Sequence, residues 1–268
     1  MTSKISCMEL KAAPDLAIYH TGPSFDLGPL PAVFYLALSG PDSLCTDPYN
    51  QPIQFLSGKM IRSFSLTLPA HEAPLSPLDA LQTWADDFSR GIDCLKPCIE
   101  QIRSALEFTI QNHFVDPRKV AIAGLSRGGL IAAFAMADEP KFSYLLAFAP
   151  LTKLSDAREF HSLKDSTLVE SYNSIKLAPK LAGRRSRFYI GNRDKRVSTR
   201  HCFDFAMALT EEAHKAGSRT PPVDLIITPS IGRDGHGTSP EAFAEGAAWL
   251  SECLLHGKKD LETRADYV

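Results

Sequence analysis

Four nearly unbroken apolar runs constrain this chain more than any other feature: AVFYLAL from Ala32, VAIAG from Val120, YLLAFA from Tyr144 and VDLIIT from Val223. A strand with one wet face alternates apolar and polar residues, whereas a strand covered on both faces does not. Runs of this kind therefore belong to a sheet sandwiched between helices. The chain supplies such helices between its runs, with apolar residues three and four apart over Pro77 to Phe88, Lys96 to Gln111, Gly128 to Ala137, His201 to Ala216 and Pro240 to Leu255. Further strands are expected at Leu16 to His20, Met60 to Leu68 and Arg187 to Ile190. Alternation of this order predicts an α/β fold, a doubly wound and mostly parallel sheet of seven or eight strands.

Three stretches break the alternation. Ser39 to Gly58 is rich in Pro, Asp, Ser and Asn, and Pro69 to Pro77 is a Pro-containing loop. Residues 151–183 separate two strands by more than one helix needs and read as a small helical cap insertion. With 268 residues, 44% of them apolar, a single domain over 1–268 is expected. The charged tail HGKKDLETRADYV carries no pattern and is expected to fray.

Charge and cysteine content exclude several classes. Lys and Arg number 29 against 31 Asp and Glu, a formal charge of −2 that argues against a nucleic-acid partner. The six cysteines are scattered, with no metal-ligand spacing, and are expected to be reduced, with no metal and no cofactor. No apolar run is long enough for a signal peptide or a membrane span, so a cytoplasmic protein with no membrane partner is expected.

The segment that carries chemistry is DPRKVAIAGLSRGGLIAAFAMA, from Asp116 to Ala137. A buried strand runs into G-x-S-x-G and a small-residue helix follows at once. A serine on so sharp a turn needs glycines two positions before and after it, Gly124 and Gly128, to keep strand and helix from colliding. Gly129 adds room. The same turn aims the backbone N–H of Arg127 at an oxyanion forming beside Ser126.

GLSRGG after such a strand resembles the nucleophile elbow of the α/β-hydrolase superfamily, and is similar to its dienelactone-hydrolase-like and prolyl-oligopeptidase-like members. That resemblance implies the α/β-hydrolase fold from about Pro31 to Leu255 and the chain order nucleophile, acid, histidine. Asp194 follows the RFYIG strand and His236 follows VDLIIT in the Gly-flanked loop IGRDGHG, both in the implied positions. Asp234 is the rival acid, two residues from His236. The remaining histidines are expected on the surface or satisfied in the core. The resemblance also implies a second oxyanion donor in SGPDSL; with Pro41 lacking an N–H, Gly40 is the expected donor, and Asp42 or Ser43 the alternatives.

Ser126, Asp194 and His236 together predict a serine hydrolase acting on small ester-type substrates, carboxylic esters or thioesters, through an acyl-enzyme. A peptidase of prolyl-oligopeptidase type is the nearest alternative, disfavoured because only about thirty residues precede the first central strand. A non-catalytic binding protein on the same fold is the other. The oligomeric state is not legible. Finally, seven cations crowd Arg184 to Arg200. Most are expected to be a solvated rim, but Arg193 and Arg196 flank Asp194 and are candidates for binding an anionic substrate.

Overall fold

The computed structural model describes residues 6–257; the tail from Lys258 on, expected to fray, lies outside the described residues. In chain order the strands are β1 (Met8–Ala13), β2 (Leu16–Thr21), β3 (Leu30–Leu36), β4 (Arg62–Ser65), β5 (Val115–Leu125), β6 (Phe142–Phe148), β7 (Arg185–Gly191) and β8 (Val223–Thr228). They form one sheet in the order β1-β2-β4-β3-β5-β6-β7-β8. The β1–β2 and β2–β4 pairs are antiparallel and every later pair is parallel. The helices are α1 (Gly40–Cys45), α2 (Gln51–Leu56), α3 (Ala80–Ser89), α4 (Leu95–Gln111), α5 (Arg127–Asp138), α6 (Thr167–Ser171), α7 (Ala178–Leu181), α8 (Thr199–Lys215) and α9 (Pro240–His256).

The unbroken apolar runs are covered on both faces. Phe34, Ile122 and Leu145 face a core built with Trp84 of α3, Leu106 of α4, Leu130 of α5 and Phe205 of α8. Their neighbours Val33, Tyr35, Ala121, Ala123 and Leu146 face a second core with Leu44, Ile53 and Trp249 of α1, α2 and α9. Successive strand residues point to opposite sides, so both must be apolar when both sides are dry.

Two expectations need correction. Ser39 to Gly58 is not irregular but holds α1 and α2, each with a proline in its first turn (Pro41 and Pro52), where the missing N–H costs nothing. The strand β1, unforeseen, pairs only with β2 and is largely exposed, so its MELKAA carries no apolar signal. Residues 151–183 are short: two 3-10 turns (Leu154–Asp156 and Arg158–Leu163), α6, a third turn (Ser174–Leu177) and α7. Leu154, Phe160, Val169 and Leu181 join the larger core, so this insertion is packed down on the sheet's helical layer.

Register brings the site together. Leu36 lies opposite Gly124, Leu125 opposite Phe148, and Gly191 opposite Thr228. The parallel strands therefore end level, and the loops leaving their carboxyl ends share one rim. In open α/β sheets that rim is where ligands bind.

Candidate active site

Ser126 sits between β5 and α5 with φ 55° and ψ −117°, a left-handed conformation rare outside glycine. The surroundings impose it. A Cβ on Gly124 would overlap the Gly128 backbone, and a Cβ on Gly128 would overlap the carbonyl of Leu36 on β3. The two glycines read from the sequence are there because strand, turn and helix pass within contact of one another. The Ser126 amide is tied to the Phe148 carbonyl at 2.9 Å, which fixes the turn against β6.

His236 Nε2 lies 2.8 Å from Ser126 Oγ, and His236 Nδ1 lies 2.8 Å from Asp194 Oδ2. A carboxylate can only accept, so Nδ1 carries the proton and Nε2 accepts from the serine hydroxyl. The other carboxylate oxygen, Asp194 Oδ1, accepts from the amides of Arg196 (2.9 Å) and Val197 (3.1 Å). The Asp194 amide donates to Thr199 Oγ1 at 2.9 Å. With its side chain fully buried, Asp194 is held on all sides. Asp234, the rival acid, turns away: its half-exposed carboxylate is 4.0 Å from Arg233 Nε, and it meets the acid loop only through its carbonyl, which accepts from the Lys195 amide.

The amide of Arg127 opens α5, where first-turn N–H groups have no partner within the helix. The expected second donor, Gly40, is corrected by the structure: its N–H donates to Thr67 Oγ1 at 3.0 Å. Its lack of a side chain serves packing instead, since a Cβ there would collide with the ring of Tyr19. The alternatives are also engaged. Asp42 N–H donates to Ser39 Oγ and Ser43 N–H to the Ser39 carbonyl, while the amides of Ala37 and Leu38 donate to Ser43 Oγ. Pro41 has none. Ser39 is the residue of this turn whose N–H meets no acceptor among the described residues.

Arg196 is likewise not the free cation it was expected to be. Its guanidinium makes a fork on Glu159, Nη1 to Oε2 at 3.0 Å and Nη2 to Oε1 at 2.8 Å. Burial pushes the Glu159 carboxyl up, but the bonds and charge of Arg196, a backbone N–H and the Arg158 bond together hold it below its ordinary value. Of the remaining crowd, Arg187 pairs with Asp224, Arg200 with Asp204, and Arg184 donates to the carbonyls of Met136 and Glu139. Arg193 is exposed, and its amide donates to Ser230 Oγ.

Two groups were not foreseen here. His71, in the loop after β4, is buried, and its Nδ1 lies 2.8 Å from the Pro69 carbonyl. The preceding residue, Ala70, has φ 58°, a strained conformation that the loop enforces. The second is the side chain of Arg127. Its Nη1 donates to the Pro77 carbonyl at 2.8 Å and lies 3.2 Å from His71 Nε2. Burial, then the like charge of Arg127, pulls His71 down to about 4. Burial, then the like charge of Arg196, pulls Arg127 down to about 10. No local motif marks His71, because its partner is brought to it by tertiary packing. Among the described residues no three metal-ligating side chains cluster, and no helix is long and apolar enough to cross a membrane.

A model of the prolyl oligopeptidase family matches residues 93–257, a span that includes Ser126, Asp194 and His236. No curated protein sequence matches the chain. Among solved structures, a puromycin-hydrolyzing peptidase of Mycobacterium tuberculosis superposes with a TM-score of 0.68 at 14% identity, over 96% of this chain and 41% of that one. TT1662 of Thermus thermophilus does so at 0.70 and 16%, over 94% and 99%. A cold-adapted esterase from an Arctic intertidal metagenomic library does so at 0.63 and 16%, over 92% and 93%. At these identities the likeness establishes the α/β-hydrolase fold. The chain spans about two fifths of the peptidase and nearly all of the other two.

Proposed function

The chain belongs to the prolyl oligopeptidase family, serine hydrolases of the α/β-hydrolase fold, and from that premise we propose that Ser126, His236 and Asp194 are a catalytic triad that hydrolyses carboxylic esters or thioesters. The carrying observation is the unbroken line of two 2.8 Å contacts from Ser126 Oγ through His236 to a buried Asp194. His236 Nε2 takes the hydroxyl proton as Oγ attacks the acyl carbonyl. Asp194 holds the imidazole in the tautomer that can accept and stabilises the imidazolium that forms. The backbone N–H of Arg127, with that of Ser39 in place of Gly40, receives the oxyanion. His236 then returns its proton to the leaving alkoxide or thiolate, and water repeats the sequence on the acyl-enzyme.

Ester rather than peptide cleavage is favoured by the esterase neighbour, which the chain matches over 93% of its length. The second reading, a peptidase, is favoured by the family itself and by the puromycin-hydrolyzing neighbour. A fluorophosphonate probe and a chain-length series of nitrophenyl esters, run beside peptide anilides, decide between them. Labelling should vanish in Ser126→Ala, and turnover should fall at least roughly a thousandfold in Ser126→Ala and in His236→Ala, with little further loss in the double variant. Asp194→Asn should lose far more than Asp234→Asn. Labelling that survives Ser126→Ala, or the reverse order of the two acids, overturns the assignment; faster turnover of anilides than esters selects the peptidase.

A further inference from the structure

A guanidinium has five N–H groups in a rigid fork, and the two parallel bonds along one edge suit a carboxylate. Arg196 shows the end-on edge, Nη1 with Nη2, closed on Glu159. Arg127 leaves the side edge, Nε with Nη2, open. Both hydrogens of its Nη1 are committed, one to the Pro77 carbonyl and one to His71 Nε2. His71 can only accept there, because its Nδ1 donates to Pro69. The Nε and Nη2 hydrogens of Arg127 meet no acceptor among the described residues, and no carboxylate of those residues lies within ion-pair distance.

The neighbouring acid cannot fill that edge. Both oxygens of Glu159 are occupied by Arg196, and Oε1 is also approached by Arg158 Nε at 3.3 Å. Glu159 is therefore spent on Arg196, and the half-buried Arg127, next in chain to Ser126, keeps a positive charge with no ion-pair partner among the described residues. Its Nε and Nη2 hydrogens are not sealed from solvent, so a ligand can reach them. We propose that the open edge of Arg127 binds a carboxylate on the acyl part of the substrate, so that the preferred substrates are acidic acyl esters. The acyl side is part of the proposal: Arg127 directly follows Ser126, and its amide is the proposed donor to the oxyanion of that same acyl carbonyl. Adipate, a flexible diacid, carries a carboxylate at the far end of its acyl chain and serves as the probe.

This specificity rests on Ser126 being the nucleophile, and the test separates the two. Mono-4-nitrophenyl adipate and methyl 4-nitrophenyl adipate differ only in the free carboxylate. The monoacid should be favoured about tenfold to a hundredfold in kcat/KM, mainly through KM. Arg127→Gln should bring that ratio near one. Arg127→Lys, which keeps the charge but not the fork, should recover only a small part of it. Equal rates for the two esters, or a ratio unchanged in Arg127→Gln, overturn the proposal while leaving the triad standing. The same question is asked without turnover by titrating Ser126→Ala protein with monomethyl adipate and dimethyl adipate. Binding of the monoacid about tenfold tighter supports the proposal, and equal binding overturns it, whether or not either ester is hydrolysed.

Discussion

Two arginines at opposite ends of the sheet, one buried and one half-buried, do opposite things with the same group. Arg62 opens β4 at the amino-terminal edge, paired with Ala32 in register, and is completely buried. It donates through Nε to the Pro23 carbonyl at 3.1 Å, through Nη1 to the carbonyls of Gly28 (2.6 Å) and Phe114, and through Nη2 to that of Ser24. Its plane also lies over the Phe25 ring, 5.1 Å from the centroid. Nearly every donor is spent on neutral acceptors, and the side chain ties the 23–28 turn and the start of β5 to the sheet. Arg127, at the carboxyl-terminal rim, spends one nitrogen and leaves an edge open. A buried guanidinium whose fork is full is a structural tie; a half-buried one whose fork is half empty is open to a ligand. Each has a buried histidine beside it, His20 near Arg62 and His71 near Arg127.

The largest effect should fall on the full fork. Arg62→Met strands several buried carbonyls and should cost about 3–5 kcal/mol in urea unfolding, while folded protein still labels at Ser126. A cost under about 1 kcal/mol would erase the distinction between the two arginines.

The paired histidines come next. His20 and His71 are each pulled down to about 4, by burial first and then by the adjacent arginine. Their native pKa lies below the unfolded value near 6.5, so the unfolded chain binds more protons between those limits. Stability is therefore fully present above about pH 6.5 and drains away as pH falls towards 4. Between pH 7 and 5 the loss should be up to about 2 kcal/mol for each histidine. His71→Gln and His20→Gln should each flatten that slope in denaturant unfolding followed against pH; a slope unchanged in both variants contradicts the assignment.

The smallest effect on stability should come from the open fork. Arg127→Met should move the unfolding free energy by no more than about 1 kcal/mol, because it removes two hydrogen bonds together with an uncompensated cation. A loss as large as that of Arg62→Met would make Arg127 a second structural tie and leave its open edge without a purpose.

The nucleophile segment was readable because its requirements are local. A serine on a strand-to-helix turn demands glycines at fixed offsets, and Gly124 and Gly128 sit where a Cβ would overlap backbone. Asp194 and His236 were readable because each follows an apolar strand whose end the parallel register fixes. What escaped was whatever depends on a partner distant in sequence. Nothing near Gly40 in sequence signals that Thr67, 27 residues later, occupies its amide. Nor does Glu159, 37 residues before Arg196, carry any sign that it closes on that guanidinium. Prolines 41 and 52 read as breakers but stand in first turns, where only the surrounding fold says whether a helix begins.

The unbroken apolar runs and the glycine spacing by themselves determined a two-faced parallel sheet and a strained serine at the end of its central strand, since both follow from sterics and dryness along a few consecutive residues. Which polar groups around that serine are already satisfied depends instead on how distant loops pack. Hydrogen-bond saturation belongs to pairs of groups, and the partners of Gly40, Arg196, Arg62 and Arg127 come from loops that folding alone brings within 3 Å or so of them.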